Sequence, residues 1–135
     1  MAEVQITQQD ADVSGKTVRI INFAGQLDET NVDEEAKKIY KIIEEMPTPN
    51  MLLDFSALTY INSKAIGYLT DWYSRTAAKN GRIVIAQPQP NILDILKVVG
   101  ITQIINILGS IEEAKLTFSS ATDSAPAVKA KTAAK

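Results

Sequence analysis

The 135-residue chain contains neither cysteine nor histidine. Without thiols there is no disulfide framework, no thiolate nucleophile and no cysteine-ligated metal, and without imidazole the commonest acid/base group and metal ligand are missing as well. Most metalloenzyme and triad chemistries are thereby excluded. An excess of charge of one sign is lacking too. Fourteen Lys and Arg against sixteen Asp and Glu leave a net charge of −2, which is no electrostatic footprint for nucleic acid or an anionic membrane. The expected partner is another protein. No apolar run approaches the roughly 18 residues that span a bilayer, and Met1-Ala2-Glu3-Val4 opens without the basic and apolar regions of a signal peptide. The cytoplasm is the expected compartment.

What is present suits one compact domain. The length fits a single core, and a 45% hydrophobic fraction is ordinary for a globular chain. β-Branched residues gather in 4–7 and 16–23 around a turn-like Asp12-Val13-Ser14-Gly15, which reads as a β-hairpin whose second strand is left through Gly25. An acidic loop then leads to a helix with Val32, Ala36, Ile39, Tyr40, Ile43 and Met46 on one face, capped by Thr30 or Asn31 and stopped by Pro47 and Pro49. Met51-Leu52-Leu53-Asp54-Phe55 is the pattern of a buried strand, with Asp54 expected at an edge.

A second helix is predicted over about 62–79, with Ile66, Leu69, Tyr73 and Ala77 along its stripe, Trp72 beside them and Asn80-Gly81 as the stop. Residues 82–86 read as another buried strand. The next helix carries Ile92, Leu93, Leu96 and Val99 and ends at Gly100, a last strand spans 104–108, and Ser110 with Glu113 forms a capping box for a short helix covered by Ala114 and Leu116. From Ser119 onward Ala, Ser, Thr and Lys predominate without an apolar stripe, the composition of a disordered tail. The expectation is therefore an α/β domain over 1–118, with about five strands in a mixed sheet and about four helices, an initial antiparallel pair preceding parallel crossovers.

Loops leaving the carboxyl ends of the strands form the functional edge of such folds, here residues 26–30 and 54–63. Asn62 and Ser63 begin a helix, where free amides and the dipole stabilise an added phosphate; the plainer role for both is helix capping. The acids Asp28, Glu29, Asp33, Glu34 and Glu35 lack calcium-loop spacing and read as capping and solvated groups rather than a metal site. Trp72 and Tyr73 are expected to help bury the second helix rather than stack on a nucleotide, and Tyr68 to lie exposed on a partner surface.

The run Leu52-Leu53-Asp54-Phe55-Ser56-Ala57-Leu58-Thr59-Tyr60-Ile61-Asn62-Ser63-Lys64-Ala65-Ile66-Gly67 resembles the signature of STAS domains, particularly bacterial anti-sigma factor antagonists. Their pattern is an apolar strand, Asp-Leu-Ser, a short apolar loop and Asp-Ser-Ser-Gly. Phe23-Ala24-Gly25-Gln26-Leu27-Asp28 resembles the family's Gly-x-Leu-Asp turn, and Ala77-Ala78-Lys79-Asn80-Gly81, Gly100-Ile101 and Ser110-Ile111-Glu112-Glu113-Ala114 extend the likeness over about residues 4–118.

The resemblance implies a partner switch in transcription regulation. The unphosphorylated domain binds an anti-sigma factor serine kinase and frees a sigma factor, and phosphorylation of the helix-start serine, here Ser63, weakens that complex. It places partner binding at Asp28, Glu29, Asn62, Ser63, Lys64, Ile66 and Gly67. No cofactor is expected in this chain, since ATP and magnesium belong to the kinase and no phosphate-binding loop is present. Asn62 stands where the family has Asp, and Lys64-Ala65 replaces the small Ser-Gly pair. Three alternatives stand beside this reading: an unphosphorylated STAS adaptor regulating a signalling enzyme or transporter, a receiver domain with Asp54 as phosphoacceptor, and an enzyme using carboxylates and Lys64 for acid/base work.

Overall fold

The computed structural model describes residues 3–119. Strands β1 (Val4–Val13) and β2 (Lys16–Leu27) form the expected hairpin, and both run further than predicted. Their two-residue turn is Ser14-Gly15, with φ of 54° and 84°. That pair of left-handed residues twists a two-residue hairpin in the same sense as its strands. From it the register continues unbroken from Val13↔Lys16 to Val4↔Gly25. Polar residues 8–10 do not end β1, because it is the sheet's edge and most of its length faces solvent.

The third strand, β3 (Asn50–Ile61), absorbs the segment 56–61 expected as a loop. It pairs parallel with β2 as far as Leu27↔Ile61, through register irregularities after Asn22 and after Gly25. Such bulges re-phase the inward and outward alternation, so Leu58 and Ile61 return to the core. Asp54 therefore lies within the strand, half-buried, with its Oδ1 accepting the Ser56 N–H at 3.0 Å. Strands β4 (Arg82–Ala86) and β5 (Asn106–Leu108) complete a sheet of order β1-β2-β3-β4-β5, antiparallel only in its first pair. The last strand starts two residues later than expected, since the Ile105 N–H is turned back onto the Ile101 carbonyl at 2.9 Å. A receiver needs the doubly wound order 2-1-3-4-5; this sheet order overturns that alternative.

Helices α1 (Val32–Glu45), α2 (Ser63–Ala78) and α3 (Pro90–Val98) contribute to the larger apolar core, while α4 (Ile111–Ser119) contributes to a smaller one with Val18, Ile20, Leu52 and Val84. Helix α2 is rotated from its predicted stripe. Its buried row is Ala65, Leu69, Trp72 and Thr76, with Ile66 and Tyr73 half-buried and Ala77 exposed. This setting buries the large indole, and the Thr76 hydroxyl is satisfied by the Trp72 carbonyl at 2.7 Å.

Besides Ala77, two further expected core residues lie outside. Val99 is half-exposed because α3 has ended and Gly100, at φ 85°, redirects the chain. Leu116 is 65% exposed because Ala114 and Phe118, four apart, take the inner face of α4. Only one arm of the capping box forms as drawn: Ser110 Oγ accepts the Glu113 N–H at 3.1 Å, whereas the Glu113 carboxylate accepts from Gly109. Of the tail expected from Ser119 onward, Ser119 closes α4 and the remainder lies outside the described residues.

Close approach makes Gly81 indispensable, as it does Gly25, where a Cβ would meet the Glu3 carbonyl oxygen at 2.3 Å. A Cβ on Gly81 would sit 1.9 Å from the Pro49 carbonyl oxygen, whereas one on Gly67 would meet nothing within 4 Å. Gly81→Ala is expected to lower unfolding free energy by about 1–3 kcal/mol. Gly67→Ala should instead raise it by up to about 1 kcal/mol through helix propensity. Urea denaturation of the two variants checks this contrast.

Candidate functional site

The β2–β3 ladder ends where the candidate site begins. The Asn62 N–H donates to the Leu27 carbonyl at 3.1 Å, setting the first residue of α2 beside the loop of residues 28–31. Asn62 is the N-cap of α2, its Oδ1 accepting the Ala65 N–H at 2.9 Å. A side-chain acceptor at this position satisfies one of the orphan amides of the first turn, so asparagine performs the capping an aspartate would perform. Ser63 follows it at the first helical position. Its residue is exposed, and its Oγ makes no hydrogen bond among the described residues.

The neighbouring loop is tied by its own side chains. Asp28 Oδ1 accepts from the Thr30 backbone N–H at 2.9 Å and the Thr30 hydroxyl at 2.6 Å. Neither Thr30 nor Asn31 caps α1 with its side chain, contrary to expectation. Asn31 instead spans the loop, accepting from the Asp28 N–H at 3.1 Å and donating to the Gln26 carbonyl at 2.9 Å. Between loop and helix lies an open concavity of about 400 Å³ lined by Gln26, Asp28, Glu29, Tyr60 and Asn62. On the other flank of β3, the Gln89 and Asn91 amides donate to the Ser56 and Thr59 carbonyls, at 2.8 and 3.1 Å.

Electrostatics join α1 to α2. Asp33 Oδ1 is 2.9 Å from Lys64 Nζ and accepts the Tyr68 hydroxyl at 2.7 Å. The Tyr68 hydrogen bond first, and then Lys64, hold the Asp33 carboxyl below its ordinary value, and bonding to Asp33 raises both Lys64 and Tyr68. The Thr30 hydrogen bonds lower Asp28 in the same way. A turn further along, the Tyr40 hydroxyl donates to Asp71, which also accepts from Arg75 Nε at 2.9 Å, and the Arg75 guanidinium lies over the Tyr40 ring at 4.9 Å. Burial, followed by bonding to Asp71, pushes the Tyr40 phenol up to about 12.

The predicted residues fall into three groups. Asp28, Glu29 and Asn62 share the concavity, and Ser63 adjoins it in the chain. Lys64 is engaged with Asp33, Ile66 is half-buried against the core, and Gly67 is exposed on α2. Of the acidic group, Asp33, Glu34 and Glu35 face Lys64, Lys37 and Lys38 respectively. Tyr68 is not the free ring expected, because it stacks on Trp72 at 6.2 Å. Gln26 and Tyr60, which the sequence placed on the expected functional edge without singling them out, complete the lining of the concavity.

The STAS domain profile matches residues 7–114. The chain belongs to the STAS domain family. Its fold is also found in solved structures of low sequence identity. An anti-sigma factor antagonist from Mycobacterium paratuberculosis superposes with a TM-score of 0.74 at 16% identity, over 87% of this chain and 94% of that one. An anti-sigma-factor antagonist (STAS) domain protein from Planctomyces limnophilus gives 0.69 at 20%, over 87% and 98%. The Bacillus cell fate determinant SpoIIAA in its phosphorylated form gives 0.65 at 18%, over 84% and 99%. Among the described residues of this STAS domain, no helix is long and apolar enough to cross a membrane.

Two measurements test the site's internal order. Asn62→Ala removes the cap and should cost about 1 kcal/mol of stability by urea denaturation. Tyr40 ionises near 10 when unfolded and near 12 when folded. Its protonated hydroxyl therefore stabilises the fold fully below pH 10, and that contribution is lost as pH rises towards about 12. Spectrophotometric titration should show Tyr40 ionising late, alongside the raised Tyr68, and Asp71→Asn should bring the Tyr40 ionisation to lower pH.

Proposed function

We propose that this STAS domain is a bacterial, cytoplasmic anti-sigma factor antagonist whose docking edge is switched by phosphorylation of Ser63. The single observation that carries the reading is the Ser63 hydroxyl, exposed and unbonded at the first residue of a capped helix beside the concavity. A kinase active site can receive such a hydroxyl without unfolding anything. ATP and magnesium come with the anti-sigma factor kinase, which supplies the base, and no chemical step is assigned to this chain.

The charge distribution favours a local switch. A phosphate adds about −1.5 to −2 charge beside a surface that already carries Asp28 and Glu29. The dipole and free amides of α2 stabilise that anion in the free domain. In a complex it must be desolvated, and it repels any acid on the partner. Asp28, Glu29, Asn62, Ser63, Lys64 and Gly67 form the proposed docking edge, with Ile66 contributing the outer part of its half-buried side chain. Lys64 is spoken for by Asp33, so a phosphate on Ser63 must compete for it and is not neutralised in advance.

The test pairs chemistry with binding. The chain is incubated with ATP, magnesium and an anti-sigma factor kinase of its source organism, and the product is mapped by mass spectrometry; one phosphoryl group on Ser63 is expected. Ser63→Ala should accept no phosphate and retain binding to that kinase, whereas Ser63→Asp should weaken it by about tenfold or more. If both variants bind as the parent does, the switch is wrong and an unphosphorylated adaptor role takes its place.

A further inference from the structure

The two edges of the sheet are protected very differently. At one edge β5 is three residues long, while at the other β1 is ten and pairs with β2 without a bulge. Natural edge strands avoid joining other sheets by being short, or by carrying charges, proline or a bulge; β1 contains no lysine and no proline, and its two charges, Asp10 and Asp12, lie in its second half, away from Val4 and Ile6. Its polar side chains do not fold over the free edge. Gln8 and Asp10 both accept from Arg19 of β2, and Thr7 accepts from Asn22 of β2.

The hairpin fixes which backbone groups are unpaired. Val13 and Lys16 flank a two-residue turn and so form a hydrogen-bonded pair, after which paired and unpaired positions alternate. The Gln26 N–H bond to the Glu3 carbonyl at 2.8 Å agrees with that phase. Odd residues of β1 bond to β2; Val4, Ile6, Gln8, Asp10 and Asp12 aim their N–H and C=O groups outward.

We propose that this outer edge pairs antiparallel with the same edge of a second copy, about a two-fold axis through Ile6. The register follows from charge. An axis at Thr7 sets Asp10 against Val4, and one at Gln8 sets Asp10 against Ile6 and Asp12 against Val4, each placing a carboxylate on an apolar neighbour. An axis at Ile6 pairs Ile6 with Ile6 and Val4 with Gln8, and leaves both aspartates beyond the paired segment. Val4 and Ile6 are half-buried against the larger core, so the pairing covers what remains exposed of them and joins the two cores edge to edge. The contact is isologous, closed and small, the kind that forms a weak dimer. The Ser63 edge is not part of it, so this inference stands apart from the proposed function.

Sedimentation of the full chain from about 10 µM to about 1 mM tests it, with amide hydrogen exchange read over the same range. The expected result is a reversible monomer–dimer equilibrium in which the Ile6 and Gln8 amides gain protection with concentration while Thr7 and Gln9 are protected throughout. Gln8→Pro deletes an outward N–H and leaves the backbone bonds to β2 intact, losing only the side-chain bond from Arg19, and Ile6→Lys sets like charges face to face. Each should weaken association by about tenfold or more with circular dichroism unchanged. A monomer across the whole range overturns the proposal. So does a dimer indifferent to Gln8→Pro, or a monomer whose Ile6 and Gln8 amides are already protected by another segment of its own chain.

Discussion

The last rung of the β2–β3 ladder decides where the proposed docking edge lies. The Asn62 amide bonds to the Leu27 carbonyl, so β2 and β3 end side by side, one delivering the 28–31 loop and the other the start of α2. The rung is held because β3 is apolar on both faces through Met51, Leu52 and Leu53 and has strands on either side. A strand so buried does not slip, since a shift by one residue exchanges its two faces. The bulges then let the same strand continue to Ile61 while keeping Leu58 and Ile61 inside. The proposed docking edge thus owes its position to the core.

Helices α1 and α2 are joined by a second layer of constraint. Their apolar faces bury Ile39, Ile43, Leu69 and Trp72, and along the rim Asp33 binds Lys64 and Tyr68 while Asp71 binds Tyr40 and Arg75. At the far end Lys79 Nζ donates to the Ile43 and Glu44 carbonyls, at 2.7 and 3.1 Å. These carbonyls belong to the last turn of α1, where a cation also complements the dipole. Such exposed pairs add little stability singly. What they do here is orient: Lys64, which replaces a small residue of the family pattern, is directed to α1 instead of standing over Ser63.

Much of this was legible in the linear order of residues. Continuous apolar runs at 51–55 and 82–86, three helical stripes and a turn at Ser14-Gly15 suffice for a mixed α/β sheet beginning with a hairpin, because side-chain periodicity and turn chemistry are local properties. The cap at Asn62 was legible for the same reason. Helix rotation was not. The choice of Trp72 and Thr76 over Tyr73 and Ala77 depends on what the sheet offers each side chain, which spacing does not encode.

By itself, then, the sequence determined the element order, the family pattern and the presence of a hydroxyl at a helix start, all of them short-range facts. Only the tertiary structure decided that 56–61 is strand, that Asp33 takes Lys64 and Tyr68, and that Asn31 ties the loop instead of capping a helix. Each of these links residues distant in the chain or redirects a polar group among competing partners. Such choices are settled by which donors and acceptors packing brings within hydrogen-bond reach, and no local propensity carries that information.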